Sequence, residues 1–511
     1  MSQPVPIDPS DAPLPAPPPQ NKGWFAAVLP IVLIAACAEL GISILSNSVL
    51  PVYFKNGLGI GTEVYGRLVV AFFLAEVLSK SPLGVLADRF GRKPLILSGA
   101  LVTIFTPILL IAIRYDPFSA TAIAVLIAFG FLRALDGLGQ AALWPALYAY
   151  VGDVVAEARR ATAMGAMNVV YMLGLALSFI IGGFVDDTFG PVFTRDPGAT
   201  FGRQISVAAQ RVGRGALQAG HHLAMRLHRH HHGLDGVPGA PDVVVNPVFL
   251  PAHYFPSFYL ASSLFALAAI IAALGLRSKT RRTDVLPTAT GAAAGTGGAV
   301  PNEEASISFA QFALALRAVP QYMWIALVMF LGIGCIMTLV KVFALDEFHM
   351  TETQFGVLTL GPSLAIAAIA VPAGRLADRW GKTRAVQLGF ALSALGLWGI
   401  PILHHLHGGQ HAFILSAGLL GVGFVLAFPA WLALLSSLGG EHQRGTIFAA
   451  VSTAQGAGAG LGVLLGTTLY DHASHIAPFV ASAVLATVGT TLALLFVRET
   501  AQGRASPVEG V

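Results

Sequence analysis

Apolar residues fill twelve stretches of this chain, near 27–51, 64–86, 95–114, 120–150, 161–185, 254–276, 321–345, 354–374, 385–404, 411–438, 446–470 and 474–497, with polar segments between them. Runs of roughly 20 residues suit helices crossing a hydrocarbon core about 30 Å thick. The pattern therefore predicts an all-α membrane protein with twelve transmembrane helices. A β-barrel would show short alternating segments instead. Composition agrees: 55% of residues are hydrophobic and 11% charged, against roughly 25% charged in soluble domains.

The runs repeat. The loop Gly84-Val85-Leu86-Ala87-Asp88-Arg89-Phe90-Gly91-Arg92-Lys93 returns as Gly374-Arg375-Leu376-Ala377-Asp378-Arg379-Trp380-Gly381-Lys382, and the same offset of 290 carries Gly66 onto Gly356 and Pro82 onto Pro372. At an offset of 284, Gly137, Glu157, Arg160, Gly174, Gly182 and Asp187 map onto Gly421, Glu441, Arg444, Gly458, Gly466 and Asp471. One half is written twice, which predicts two pseudo-symmetric six-helix bundles. Halves of this kind imply a site at their interface and alternating access around it. The expected organisation is a tail at 1–26, a first bundle at 27–276 with an insertion at 186–253, a linker at 277–320, a second bundle at 321–498 and a tail at 499–511. The Pro-rich tail lacks the basic region of a signal peptide.

Charge sets the orientation. With both termini in the cytoplasm, the cytoplasmic tails and loops hold 18 Lys and Arg, and the short outer loops hold only Lys55 and Arg114. Such a bias is the positive-inside pattern, so a multi-pass protein of the cytoplasmic membrane is expected, with both termini inside. The insertion carries His221, His222, His228, His230, His231 and His232. Their spacing matches no closed metal site, and a solvated, weakly chelating surface is expected there. Cys37 and Cys335 sit in separate runs and read as small buried hydrophobes.

The loop Gly84-x-x-x-Asp88-Arg89-x-Gly91-Arg92-Lys93 resembles the signature between helices two and three of the major facilitator superfamily, and the copy with Asp378 and Arg379 stands where that family repeats it. The resemblance covers about 25–498 outside the insertion. It implies two bundles that rock around a central cavity. It also implies a conformational latch of Gly84, Asp88, Arg89, Gly91, Arg92 and Lys93: Asp88 would meet a helix end of the opposite half, and Arg92 would pair with an acid ending helix four, for which Asp153 is placed. Gly84 would permit close helix approach and Gly91 a tight turn. Arg133-x-x-x-Gly137 resembles a helix-four motif of proton-coupled drug exporters. Helix five resembles their antiporter motif in its glycines, but Ser178-Phe179 replaces the central Gly-Pro.

Ionisable residues at membrane depth cost roughly 2.5–3.5 kcal/mol each on insertion scales and need a reason. Glu39, Glu76, Lys80, Arg133, Asp136 and Lys341 are the candidates. Glu39, Asp136 and Arg133 are assigned to proton coupling. Asn47, Gln140, Trp144, Asn168, Tyr171, Lys341 and Trp431 are assigned to a substrate cavity whose walls would also include Phe72, Phe73, Phe330, Phe343 and Phe428. No phosphate-cradling Gly-x-x-x-x-Gly-Lys-Ser/Thr loop is present, so neither ATP coupling nor enzymatic activity is expected. The sequence thus predicts a monomeric secondary transporter that exports a small amphiphilic organic compound in exchange for protons. It needs no cofactor or resident metal, and its partners are substrate, protons and the bilayer rather than nucleic acid. Proton-coupled movement of an organic anion, with Lys341 as counter-ion, is the alternative; metal export and a non-transporting receptor rank lower.

Overall fold

A computed structural model of the chain describes residues 24–155, 157–195, 251–276, 320–436 and 444–497. The insertion's 196–250 with its histidines, the linker and both tails lie outside these residues, as do the side chains of Asp88, Asn168, Asp378 and Arg379. Among the described residues every long element is helical. α1 (Trp24–Ser43) continues through π-helical turns at Ile44–Val49 and Tyr53–Gly57 on either side of Leu50–Val52. There follow α2 (Thr62–Phe90), α3 (Arg92–Ala112), α4 (Ala122–Val154), α5 (Glu157–Arg195) and α6 (Phe255–Gly275). The second half holds α7 (Pro320–Met337, resuming at Val340–Phe348), α8 (Glu352–Trp380), α9 (Lys382–His405), α10 (Gln410–Ser436), α11 (Arg444–His472) and α12 (Ala477–Phe496). Each covers one apolar run of the sequence, though α5 reaches Arg195, past the expected end at 185.

The sequence repeat is also a packing repeat. In the first half α1 packs on α5 and α6, α4 on α2 and α3, and α3 on α6; in the second, α7 packs on α11 and α12, α10 on α8 and α9, and α9 on α12. Two seams join the halves, α5 against α8 and α2 against α11, and they too are related by the repeat. Nine of the described helices are long and apolar enough to cross a membrane by themselves. The other three, α2, α8 and α11, all lie in seams, where part of each surface meets protein instead of hydrocarbon. Away from the seams large apolar side chains point outward: Ile127, Phe131 and Leu415 are 68%, 63% and 75% exposed, as lipid-facing residues are.

The repeated loop makes the same turn twice. Gly91 has φ 92° and Gly381 φ 93°, a conformation that a Cβ disfavours. Gly91 ends α2 and starts α3, so one residue sets the hairpin. The halves are joined unevenly along their length. At the end away from these loops one apolar core runs through both halves, with Phe54, Phe129 and Tyr254 of the first and Phe343, Phe355 and Phe479 of the second. At the motif-loop end each half has its own core, around Leu143 and Phe265 in one and around Trp431 and Val451 in the other. The described residues thus form a state closed at one end and divided at the other.

Candidate functional site

Buried charge clusters at two places. The first is inside the first half. Glu39 of α1 is 3% exposed and accepts a hydrogen bond from Ser43 Oγ at 2.8 Å. Among the described residues no cation is within ion-pairing distance of it. Gly174 of α5 makes room for it, since a Cβ there would lie 2.6 Å from Glu39 Cγ. The Glu39 carboxyl is within electrostatic reach of the Tyr148 and Tyr171 hydroxyls. Those rings form a cluster with Trp144, at centroid distances of 5.8 and 6.0 Å, and Tyr171 is 36% exposed. Trp144 Nε1 donates to Gln140 Oε1 at 3.0 Å. Glu39 is therefore buried in the same region as an aromatic cluster of which Tyr171 is partly exposed.

Arg133 and Asp136 of α4 form a separate pair. Arg133 Nη1 donates to Asp136 Oδ2 at 2.6 Å, with the two side chains 1% and 0% exposed. Thr106 of α3 donates to the other Asp136 oxygen. Arg133 also reaches Ser46 Oγ of α1 at 3.2 Å and lies over the Phe72 ring at 4.9 Å. Asp136 is thus joined to α1 through Arg133, but not to Glu39. Here α1 takes a π-helical turn at Ile44–Val49, and residues two apart lie on opposite sides of a helix. Ser46 faces α4 and Ser48 faces α7, with half-buried Asn47 between them. Such π-helical turns are frequent at functional sites.

The second place is the closed end. Lys341 of α7, 1% exposed, donates to Glu352 Oε2 of α8 at 2.5 Å and to Ser48 of α1, at 2.7 Å to its carbonyl and 3.0 Å to its hydroxyl. Lys341 therefore ties the second half to the first instead of lining an open cavity, because Glu352 supplies its counter-charge. Lys55 pairs with Asp346, whose carboxylate also accepts from Tyr470 at 2.6 Å. Each seam carries a reciprocal cap. Asp187 of α5 accepts from the Thr353 N–H in the first turn of α8, at 2.8 Å. Asp471 of α11 accepts from the Glu63 N–H in the first turn of α2, at 2.7 Å, and from the Thr62 hydroxyl at 2.6 Å. A carboxylate at a helix N-terminus satisfies free N–H groups and meets the positive end of the dipole. His472 adds a contact to Glu63 at 2.8 Å, and Arg67 another at 2.5 Å. These hydrogen bonds, His472 first, hold the Glu63 carboxyl below its ordinary value.

In the motif loop the residues expected to pair lie near each other. Arg92 Nε is 3.7 Å from Asp153 Oδ2, both partly exposed. Lys93 donates at 2.7 Å to the carbonyls of Ala273 and Leu276 and so caps the end of α6. Arg89 is exposed. No described atom lies within 4 Å of a Cβ built on Gly84. Glu76 and Lys80 pair along α2 at 2.9 Å.

Of the expected cavity residues, Phe343 is packed in the shared core and Trp431 lines a cleft within the second half. Phe343 is 1% exposed in the shared core, 4.6 Å from the Phe479 ring centroid. Trp431, 3% exposed, packs on Tyr322 and Phe390. With Phe330 and Phe428 it lines a small apolar cleft whose described walls all come from the second half. Aromatic content marked these rings, but rotation about each helix axis decides what they face. Asp186, Asp187, Glu352 and Asp471 were missed as functional residues because they fall at or just outside the ends of the apolar runs. The repeat offset linking Asp187 to Asp471 was the available signal.

The model of the Major Facilitator Superfamily matches residues 31–195 and 322–510. The chain belongs to the Major Facilitator Superfamily. It is accordingly a multi-pass membrane transporter and not an enzyme. Multidrug resistance protein 2 of Bacillus subtilis (strain 168) is 23% identical over 478 residues, covering 93% of this chain and 96% of that protein. Quinolone resistance protein NorA of Staphylococcus aureus (strain MRSA252) is 30% identical over 165 residues, 32% of this chain and 38% of NorA. Among solved structures, a D-xylose-proton symporter superposes with a TM-score of 0.62 at 12% identity, over 92% of this chain and 96% of that one. A point mutant of the nucleoside transporter NupG gives 0.60 at 9% identity, over 92% and 99%. At those identities the superfamily fold is what is shared.

Proposed function

We propose that this superfamily member exports small amphiphilic organic compounds, cationic ones in particular, in exchange for protons, with Glu39 as the principal coupling acid. The observation that carries the reading is a buried carboxyl, without a cation partner among the described residues, within electrostatic reach of the partly exposed Trp144–Tyr148–Tyr171 cluster. Ring faces and a carboxylate bind an organic cation by area and by charge. The same carboxyl can hold a proton when the cation is absent, so substrate and proton compete for one site. Competition at a site exposed to each side in turn is sufficient for exchange. The resistance proteins among the relatives support export of drug-like compounds. Asp136, fixed by Arg133, acts as a positioning acid that orients Arg133 toward Ser46 of α1. The organic-anion reading has less support, since Lys341 is occupied by Glu352 and Ser48 in this state.

The motif-loop end is the cytoplasmic one on the charge bias of the loops, and the divided state would then load substrate from inside. The test is transport of a fluorescent lipophilic cation by purified protein in liposomes with an imposed pH gradient. Glu39→Gln, which mimics the protonated carboxyl, should abolish gradient-driven accumulation and weaken binding of the cation. Wild-type accumulation by Glu39→Gln would sink the assignment.

A further inference from the structure

The two seams are related by the repeat, yet their chemistry differs. At the α2–α11 seam the residues before and beside the cap are neutral, Thr62 and Tyr470. Their counterparts at the α5–α8 seam are Glu352 and Asp186, offset by 290 and 284. Asp187 and Asp471 are common to both seams and account for the caps. The second carboxylate and the glutamate are additions that closure of the seam does not require.

These additions are buried and incompletely satisfied. Asp186 is 0% and Glu352 3% exposed. Among the described residues neither Asp186 oxygen, nor Glu352 Oε1, receives a hydrogen bond of ordinary geometry, although the Ser257 hydroxyl and N–H approach the Asp186 carboxylate. The Asp186 carboxyl lies within electrostatic reach of Glu352, Lys341 and Ser257. The other groups facing the site are the Ser48 hydroxyl of α1, Asp187 of α5, and His253 and Tyr254 of the turn before α6. Asp187 is already engaged as the cap of α8. Apart from the capping Asp187, two carboxylates against one ammonium leave one uncompensated negative charge, which is expensive in a low-dielectric setting. A single proton balances the site and gives an unsatisfied oxygen a donor to its neighbour.

We propose that Asp186, Glu352 and Lys341 form a second proton-binding site, assembled from both halves when this end closes and broken when it opens. Asp186 comes from the first half, while Lys341 and Glu352 come from the second. Opening therefore parts the carboxylates, admits water and lets the proton dissociate on the side that opens. Protonation from that side favours closure. The proton returns to the side it came from, so the site senses acidity there and resets the transporter toward its other state. The inference concerns gating at the seam and is separable from the coupling role proposed for Glu39.

The experiment places spin labels on the α5 and α8 ends of full-length protein in nanodiscs and reads the open-to-closed ratio against pH. It is run in a Glu39→Gln, His472→Gln background, which removes the other coupling acid and the histidine of the second seam. One proton difference gives up to about a tenfold change in that ratio per pH unit. Raising the pH from 6 to 8 should open the seam, and Asp186→Asn should flatten the response. If Asp186→Asn does not fold, Glu352→Gln must flatten it instead, because either change leaves a single carboxyl with Lys341. Infrared difference spectra of the background protein should show a protonated carboxyl lost on opening. A ratio independent of pH, or a response unchanged in both variants, would overturn the proposal.

Discussion

At the residue scale, buried charge follows one rule here: each charged group is either neutralised by a neighbour or left where a proton can neutralise it. Arg133 and Asp136 take the first course, with side chains 1% and 0% exposed and Thr106 on the remaining oxygen. Breaking one side of such a pair leaves an uncompensated charge and typically costs about 3–5 kcal/mol. Asp136→Asn should therefore lower the midpoint of thermal unfolding in detergent, and adding Arg133→Met should recover much of the loss. Glu39 takes the second course, and Glu39→Gln should leave that midpoint close to wild type. Equal losses in Asp136→Asn and Glu39→Gln would contradict the division of roles. Both residues were legible in the sequence as membrane-depth acids. Their difference was not, because it depends on Thr106, thirty residues away on α3, and on Ser46 of α1, which Arg133 reaches.

At the element scale, the seams combine close helix approach with caps donated across the halves. A Cβ on Gly183 of α5 would meet the Glu352 carbonyl at 2.4 Å, and one on Gly356 of α8 would meet Ile180 Cα at 2.5 Å. Glycine lets the α5 and α8 backbones approach this closely. Onto that contact the caps add modest, separable increments. Removing a side-chain cap typically costs about 1 kcal/mol, a factor of about 5 in an equilibrium constant. Asp187→Ala and Asp471→Ala should each raise the open-to-closed ratio by about that factor, and together by about 25-fold if the two seams act independently. Thiol accessibility at the closed end measures it. No change in either variant would mean that the caps form without contributing to closure. The helices themselves were legible as apolar runs, and the offset between Asp187 and Asp471 was legible too. That these aspartates cap helices of the opposite half was not, because capping across a seam leaves no local signature.

At the scale of the whole molecule, one core spans both halves at one end and two separate cores stand at the other. On the proposed alternating-access reading, rocking the bundles would exchange those arrangements, with the seams as the parts that must open. The present state makes a definite accessibility prediction. With Cys37 and Cys335 replaced, Tyr171→Cys should react with a membrane-impermeant thiol reagent added on the cytoplasmic side, and Phe343→Cys, buried in the shared core, should not react from either side. Labelling of Tyr171→Cys from outside alone would reverse the orientation assigned to this state.

The sequence by itself determined the number of helices, their pairing into two related halves and the hairpin turn at Gly91 and Gly381. Each of these follows from local chemistry: apolar length, repetition, and a backbone angle that glycine adopts readily. Only the tertiary structure decided which charges meet. Lys341 finds Glu352 and Ser48, Glu39 finds Ser43 near an aromatic cluster, and Trp431 turns into its own bundle. Those choices depend on helix rotation and on contacts between residues as far apart as 293 positions, a separation at which periodicity carries no information about partners.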